Sequence, residues 1–411
     1  MSFPQELSDM IIDEASKIPG KEESTRALTS LSLVSTAFRE RAHGHLFASI
    51  TFDGSARAME AAQNLLGLLE VDHDTDTLGL ASKITSFACS IPQSGAGPLV
   101  MILNKLFIAE GRLCSLHLAF LSPYSWPYLP ENLARAIFEV CHRPRLATLS
   151  IDWLYNIPRN FLQHSFVKRL TLDFVSVSDS QLPEFWFAGV AGQGHCEAVL
   201  LEYLNVSVEK RILPLLTTSP QFDPKTVFSC LQELHFHDIF EDTDLRAQLS
   251  EVLSGCQGQL GILKVWLAQV YHDLMSLPIG NLHNLHTFAM TVTRHTDTPL
   301  SNFAAFLEHR EFPPSLHNIE LGFLFSLTGL TIPVDDKAIF DAFRKMGSDV
   351  LDELFAQQKF DHVRYFSLQC ELYLHSSYVR RPEELERLLP SRFPHIASRG
   401  HLSFSVRVKL F

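Results

Sequence analysis

The sequence predicts an α/β fold: a three-helix module over residues 1–50, then a solenoid of strand–helix repeats over 51–411, parallel sheet inside and helices outside. Three observations carry that expectation. The first fifty residues show helical periodicity throughout. Beyond them a short apolar motif of strand character recurs ten times. Between its copies lie segments with apolar stripes at helical spacing.

Composition sets the frame. With 411 residues, 46% hydrophobic and 19% charged, the chain is that of a water-soluble protein able to bury a large core. A formal net charge of −12 argues against nucleic acid as its partner. The longest apolar run, Leu321 to Val334, is too short to span a membrane and holds Gly322, Gly329 and Pro333. No basic segment precedes an apolar one at the start, so no secretory signal is expected, and the Asn205-Val206-Ser207 sequon reads as idle. The seven cysteines are dispersed with no C-x-x-C pair, as suits small buried apolar groups in a reducing compartment. The expected location is therefore cytoplasmic or nuclear.

The opening "SFPQELSDMIIDEASK" starts a helix. Pro4 supplies a preset φ for a first helical position, and Glu6 suits the positive end of the helix dipole. Leu7, Met10, Ile11, Ala15 and Ile18 share one face; Ile12 lies about 140° from Leu7 and adds a second apolar surface. A loop is expected from Ile18 to Ser24. Next come Leu28, Leu31 and Val34 on one stripe, with Leu33 off it. Ser35 then caps a third helix carrying Phe38, Ala42 and Leu46 at i, i+4. "SITF" is the first strand.

The recurring unit is L-x-x-L-x-L or an apolar variant. It reads Ile84/Phe87/Cys89, Leu113/Leu116/Leu118, Leu146/Leu149/Ile151, Val167/Leu170/Leu172 and Cys196/Val199/Leu201. It continues as Leu231/Leu234/Phe236, Leu260/Leu263/Val265, Leu285/Phe288/Met290, Leu316/Ile319/Leu321 and Val363/Phe366/Leu368. A spacing of about 31 residues sits just above the period of leucine-rich repeats. Helices are expected in "PLVMILNKLFIAEG", "PENLARAIFEVCHR", "DTDLRAQLSEVLSGC" and "PLSNFAAFLEHRE", with an extra long helix near 335–358. A closing strand is expected near 401–411, where Leu402, Phe404, Val406, Val408 and Leu410 alternate. No asparagine ladder follows the strands, so the repeats are degenerate.

The residues between the apolar strand positions point to the concave side, where solenoids bind partners. Arg169, Asp173, His235, His237, Trp266 and Glu320 are the candidates for holding a target, with Thr171, Glu233, Lys264, Tyr365 and Glu371 beside them. Trp266 stands out as an aromatic anchor, unless a loop covers it or the register slips. His235 and His237 share a strand face but supply two ligands where zinc takes three or four, so they read as a solvated face. "DHDTDTLG" at 72–79 lacks the glycine and glutamate of a calcium loop, with Thr77 and Lys83 in their places. "GVAGQGH" at 189–195 lacks the lysine of a phosphate loop. No catalytic motif is present, so neither enzyme activity nor a cofactor or metal is expected.

The first fifty residues resemble an F-box, the helical module of substrate receptors in cullin-type ubiquitin ligases. The residues that carry the resemblance are Phe3-Pro4-x-Glu6-Leu7, Ile11-Ile12, Leu28, Leu31-x-Leu33-Val34-Ser35, Phe38-Arg39 and "HLFASITF". Phe3 stands where leucine is usual and Phe38 where tryptophan is common. An F-box followed by irregular leucine-rich repeats resembles the large F-box families of mushroom-forming fungi. "LASKITSFACSI" at 80–91 is similar to the first repeat strand of those proteins. The resemblance implies that the module binds a Skp adaptor subunit and the repeats bind a target protein. Phe3, Pro4, Leu7, Ile11, Ile12, Leu31, Val34 and Phe38 form the pool that must serve both the module's own packing and that adaptor. A helical cap shielding the first repeat, on a scaffold without any ligase, is the alternative.

Overall fold

The structure is a computed structural model. It describes residues 4–71, 79–92, 96–108, 112–188, 200–208, 213–216, 224–238, 243–256, 258–267, 277–292, 299–309, 311–326, 336–373, 387 and 389–398. Phe3, the acidic loop at 72–78, the glycine-rich 189–195, Cys196, Val199 and the strand expected at 401–411 lie outside the described residues. The chain forms two compact units, Met1–Val199 and Leu200–Phe411.

The first unit begins with three helices, α1 (Gln5–Ser16), α2 (Lys21–Ser32) and α3 (Thr36–Leu46). Pro4 is the residue before α1, with ψ of 135°, and not its first helical position. The loop expected over Ile18–Ser24 is shorter, because α2 already starts at Lys21 after Gly20. Ser35 caps α3 by accepting from the Phe38 backbone N–H at 3.3 Å. Then follow β1 (Ser49–Phe52), α4 (Ala56–Val71), β2 (Ser86–Ile91), α5 (Gly97–Ile108), β3 (Ser115–Ser125), α6 (Glu131–Cys141) and β4 (Thr148–Tyr155). The two-residue strands β5 (Ile157–Pro158) and β7 (Val177–Ser178) pair with each other on either side of β6 (Arg169–Val175) in sequence. β1, β2, β3, β4 and β6 lie side by side, all parallel.

The second unit carries β8 (Tyr203–Val208), two four-residue helices α7 (Leu213–Leu216) and α8 (Pro224–Val227), β9 (Glu233–Asp238), α9 (Thr243–Gly255), β10 (Ile262–Leu267) and β11 (Thr287–Val292). It goes on through α10 (Pro299–Glu308), β12 (Asn318–Ser326), α11 (Asp336–Lys345), α12 (Ser348–Phe355) and β13 (Tyr365–Tyr373). Here too β8 to β13 pair in sequence order, all parallel.

The apolar motif explains the strands. Its last two positions alternate inward along the strand, and the first enters the core just before it. Leu113, Leu116 and Leu118, for example, are buried, as are Leu316, Ile319 and Leu321. The helices cover that inner face: Phe288 of β11 meets Phe306 of α10 at 5.7 Å, and Phe366 of β13 meets Phe355 of α12 at 4.5 Å. A backbone stitch repeats as well. The carbonyls of Ala48, Thr85, Cys114 and Ala147 each accept two consecutive N–H groups from the next repeat, at 2.8–3.1 Å. Gln232, Gly261, His286 and His317 do the same in the second unit.

Two expectations are corrected. The fifth motif is not Cys196/Val199/Leu201 but Leu201/Leu204/Val206, whose three side chains are buried along β8. The helix expected over 335–358 is broken in two at Gly347. That residue has φ of 97°, and a Cβ there would run into Ser301.

Candidate functional site

Two surfaces answer to the residues singled out in the sequence, one on each unit. The first is the three-helix module. Its interior is small: Ile12, Ala15, Leu28 and Ala42, flanked by Ala27, Leu31, Phe38 and Leu46. Asp13 ties α1 to α3. Its carboxylate accepts two hydrogen bonds from the Arg41 guanidinium, at 2.9 and 2.7 Å, and meets His45 Nε2 at 2.8 Å. Arg41 first, then His45, holds that carboxyl well below the usual range. Ser24 Oγ donates to the Ala15 carbonyl at 3.1 Å and anchors α2.

With the buried face of α1 fixed by Ser8, Ile12 and Ala15, the stripe about 100° away turns outward. Leu7 is 43% exposed, Met10 55% and Ile11 40%; at the α2–α3 turn Leu33 is 76% and Val34 64% exposed. Of the candidate adaptor contacts, Pro4, Leu7, Ile11 and Val34 therefore lie on the outside. Ile12 does not: it is fully buried and belongs to the module's core, which corrects its assignment as a contact. Leu31 and Phe38 are half-buried against that core. Met10 and Leu33 were missing from the candidate set. The signal for Leu33 was its place off the helical stripe.

The second surface is the strand face opposite the buried side chains. In the second unit it gathers four rings, with Tyr203 edge-on to His235 at 5.3 Å. Trp266 stacks on His237 at 4.1 Å with a 6° interplanar angle, and His235 lies 5.7 Å from the same indole. Burial, with His235 nearby, pushes His237 down to about 4, so its ring is neutral at pH 7. His235 Nε2 contacts the Glu233 carboxylate at 2.7 Å. Beside Trp266 a depression of about 460 Å³ opens, floored by Ala289 and Gly322 and bounded by Lys264, Thr291 and Glu320. A Cβ at Gly322 would meet Thr291 Oγ1 at 2.7 Å, so that floor position requires glycine.

Arg169 and Asp173 lie on β6 of the first unit, on the same kind of face. Asp173 is in register with Asp152, which His117 Nε2 approaches to 3.4 Å. Burial, and then Asp173, oppose the attraction of His117 and raise the Asp152 carboxyl above its ordinary value. The next residues along these strands, Trp153 and Phe174, both adopt left-handed φ (62° and 51°) and stack at 4.3 Å. These paired left-handed positions had no counterpart in the alternating pattern read from the sequence. Among the described residues no three His, Cys, Asp or Glu side chains stand close enough to hold a metal ion, and no helix is long and apolar enough to cross a membrane.

No protein-family model matches the chain, and no curated protein sequence matches it either.

Proposed function

We propose that this chain is a substrate-recognition adaptor of a cullin-type ubiquitin ligase, its helical module docking a Skp adaptor subunit and its strand face holding a target protein. The observation that carries the reading is the outward aliphatic set Leu7, Met10, Ile11, Leu33 and Val34, none of which belongs to the module's core of Ile12, Ala15, Leu28 and Ala42. Large aliphatics left in water on so small a module fit a surface that a partner covers. The chain itself would do no chemistry. It would hold the target near the ligase, converting a second encounter into one at high effective concentration.

The test is a pull-down from cells of a species that carries cullin ligases. The intact chain should retain the Skp adaptor, and a Leu7→Asp, Ile11→Asp double variant should lose it. Failure of the folded wild-type chain to retain the adaptor would end the reading.

One observation favours a helical cap on a scaffold without a ligase. The Ala48 carbonyl accepts from Thr85 and Ser86 at 2.9 Å, and Lys83 pairs with Glu40 at 2.6 Å, so the module is joined to the first repeat. Capping uses that junction and leaves the Leu7 and Leu33 surfaces without a role. The pull-down separates the two.

A further inference from the structure

The depression beside Trp266 has a defined layout. Lys264, Ala289 and Glu320 are in register on β10, β11 and β12, and so are Trp266, Thr291 and Gly322 one row on. Lys264 and Glu320 thus stand on either side of an alanine, two strand spacings or about 10 Å apart. Neither makes an ion pair with any described residue, and the small side chain between them leaves the space open. One face of Trp266 is taken by the His237 ring. The indole also borders the depression, over a floor with almost no side chain. The centre is aromatic and flat, and the rim bears one charge of each sign.

We propose that this depression holds an extended segment of a target protein that crosses the strands, with an aromatic anchor flanked two positions away by an acidic residue on one side and a basic residue on the other. The proposal rests on the reading that the strand face takes the target, and it adds the chemistry of the segment. In an extended chain, residues two before and two after the anchor are about 13 Å apart and project to the same side. The long side chains at both rims absorb the difference from 10 Å. The acidic residue meets Lys264, the basic one meets Glu320, and the anchor ring lies against Trp266 above Ala289 and Gly322. Opposite charges on the rim reject segments whose flanking charges have the same sign.

Three short peptides test this on the full-length chain: acetyl-Gly-Glu-Gly-Tyr-Gly-Lys-Gly-amide and its Glu/Glu and Lys/Lys counterparts. The readout is the Trp266 indole N–H resonance, assigned with Trp266→Phe. The mixed peptide should bind about 2- to 5-fold more tightly than either counterpart, the range of an exposed ion pair. Lys264→Glu should move the preference to the Lys/Lys peptide and Glu320→Lys to the Glu/Glu peptide. Ala289→Phe should fill the floor and abolish binding of all three. Thermal unfolding of each variant, unchanged for the two rim substitutions, confirms that the fold is intact. No shift of that resonance by any peptide at millimolar concentration, or equal affinity for all three, overturns the proposal. So do preferences that ignore the two charge reversals. None of these outcomes depends on adaptor binding, so failure here and failure of the ligase reading are told apart.

Discussion

The helical module and the strand repeats differ in where their aliphatic and aromatic groups gather, although the repeats too leave single large groups such as Phe185 and Tyr128 exposed. In the module the interior is Ile12, Ala15, Leu28 and Ala42, while Leu7, Met10, Ile11, Leu33 and Val34 face water. In the repeats the large groups go in: Phe87, Phe228, Phe288, Phe306, Phe323 and Phe366 are fully buried. The face left to solvent carries Ser, Thr, His, Lys and Glu around a single tryptophan in the second unit. Repeats must bury the face each cannot cover alone, and their neighbours do that. Among the described residues no neighbouring element covers the module's outer aliphatics. The difference teaches that the two surfaces offer different chemistry to the partners proposed above, one an area of apolar contact and the other placed charges and a ring.

The sharpest test of this contrast uses adjacent isoleucines. Ile12 is fully buried and Ile11 is 40% exposed. Ile12→Asp puts a carboxylate into a small apolar core and should unfold the module, a loss of more than about 4 kcal/mol. Ile11→Asp should change stability by less than about 0.5 kcal/mol. Hydrogen exchange of peptides from α1, α2 and α3 reads both. Equal loss of protection would mean that Ile11 is covered too, and the contrast between module and repeats would fail.

Acid should separate the regions next. His142, buried on the repeats of the first unit, has its Nδ1 2.7 Å from the Phe138 carbonyl and its Nε2 2.9 Å from that of Gln163. Burial pushes it down to about 4 despite those contacts. The unfolded chain then binds a proton between pH 6.5 and 4 that the folded chain refuses. Stability from this group is complete above 6.5 and falls with pH through that window, by about 3 kcal/mol. In the module, burial and then the nearby Lys83 lower half-buried His43 on α3, and Asp13 is held low by Arg41 and His45. Its contribution is present above the ordinary carboxylate value and is lost only below it. Solvent screening keeps it under about 1 kcal/mol. Lowering pH from 7 to 4.5 should therefore loosen the surroundings of buried His142 more than α1–α3, where His43 is only half-buried. Trp126 and Trp186, which pack on Phe161 and Phe138 there, supply a fluorescence signal. His142→Gln should flatten the profile; a flat wild-type profile would refute the assignment.

The sequence carried most of the repeat architecture and half of the module. Strands were legible because the motif places two core residues at period two with a third three residues ahead, and because it recurs along the chain. Leu201/Leu204/Val206 was misread by five residues because Cys196 and Val199 imitate the same spacing upstream. Gly347 was invisible as a break because Ile339, Phe343, Met346, Val350 and Leu354 keep helical spacing across it. α4 carries no motif and was not anticipated. On α1 the pattern showed two apolar faces without saying which goes inside. Packing of Ser8, Ile12 and Ala15 against α2 and α3 decides that. The aromatic stack of Trp266 and His237 was legible as a shared face. The depression beside it was not, since it depends on Ala289 and Gly322 coming into register from two other strands.

The smallest effect is the most telling for the module. Leu33 and Val34 are its most exposed aliphatics, at the turn where α2 gives way to α3. If they serve only a partner, replacing both with serine removes apolar area that folding never buried. The free chain should then unfold within about 0.5 kcal/mol of wild type. The backbone bonds that close the turn, Leu33 N–H to Ser30 carbonyl at 3.2 Å and Val34 N–H to Leu31 carbonyl at 3.0 Å, are untouched by the change. Solubility at high concentration should rise, because a surface aliphatic pair promotes self-association. Denaturant midpoints with unchanged slope establish the first point, and light scattering the second. A loss of 2 kcal/mol or more would place both side chains in the chain's own core and remove the reason for seeking a partner at this end of the module.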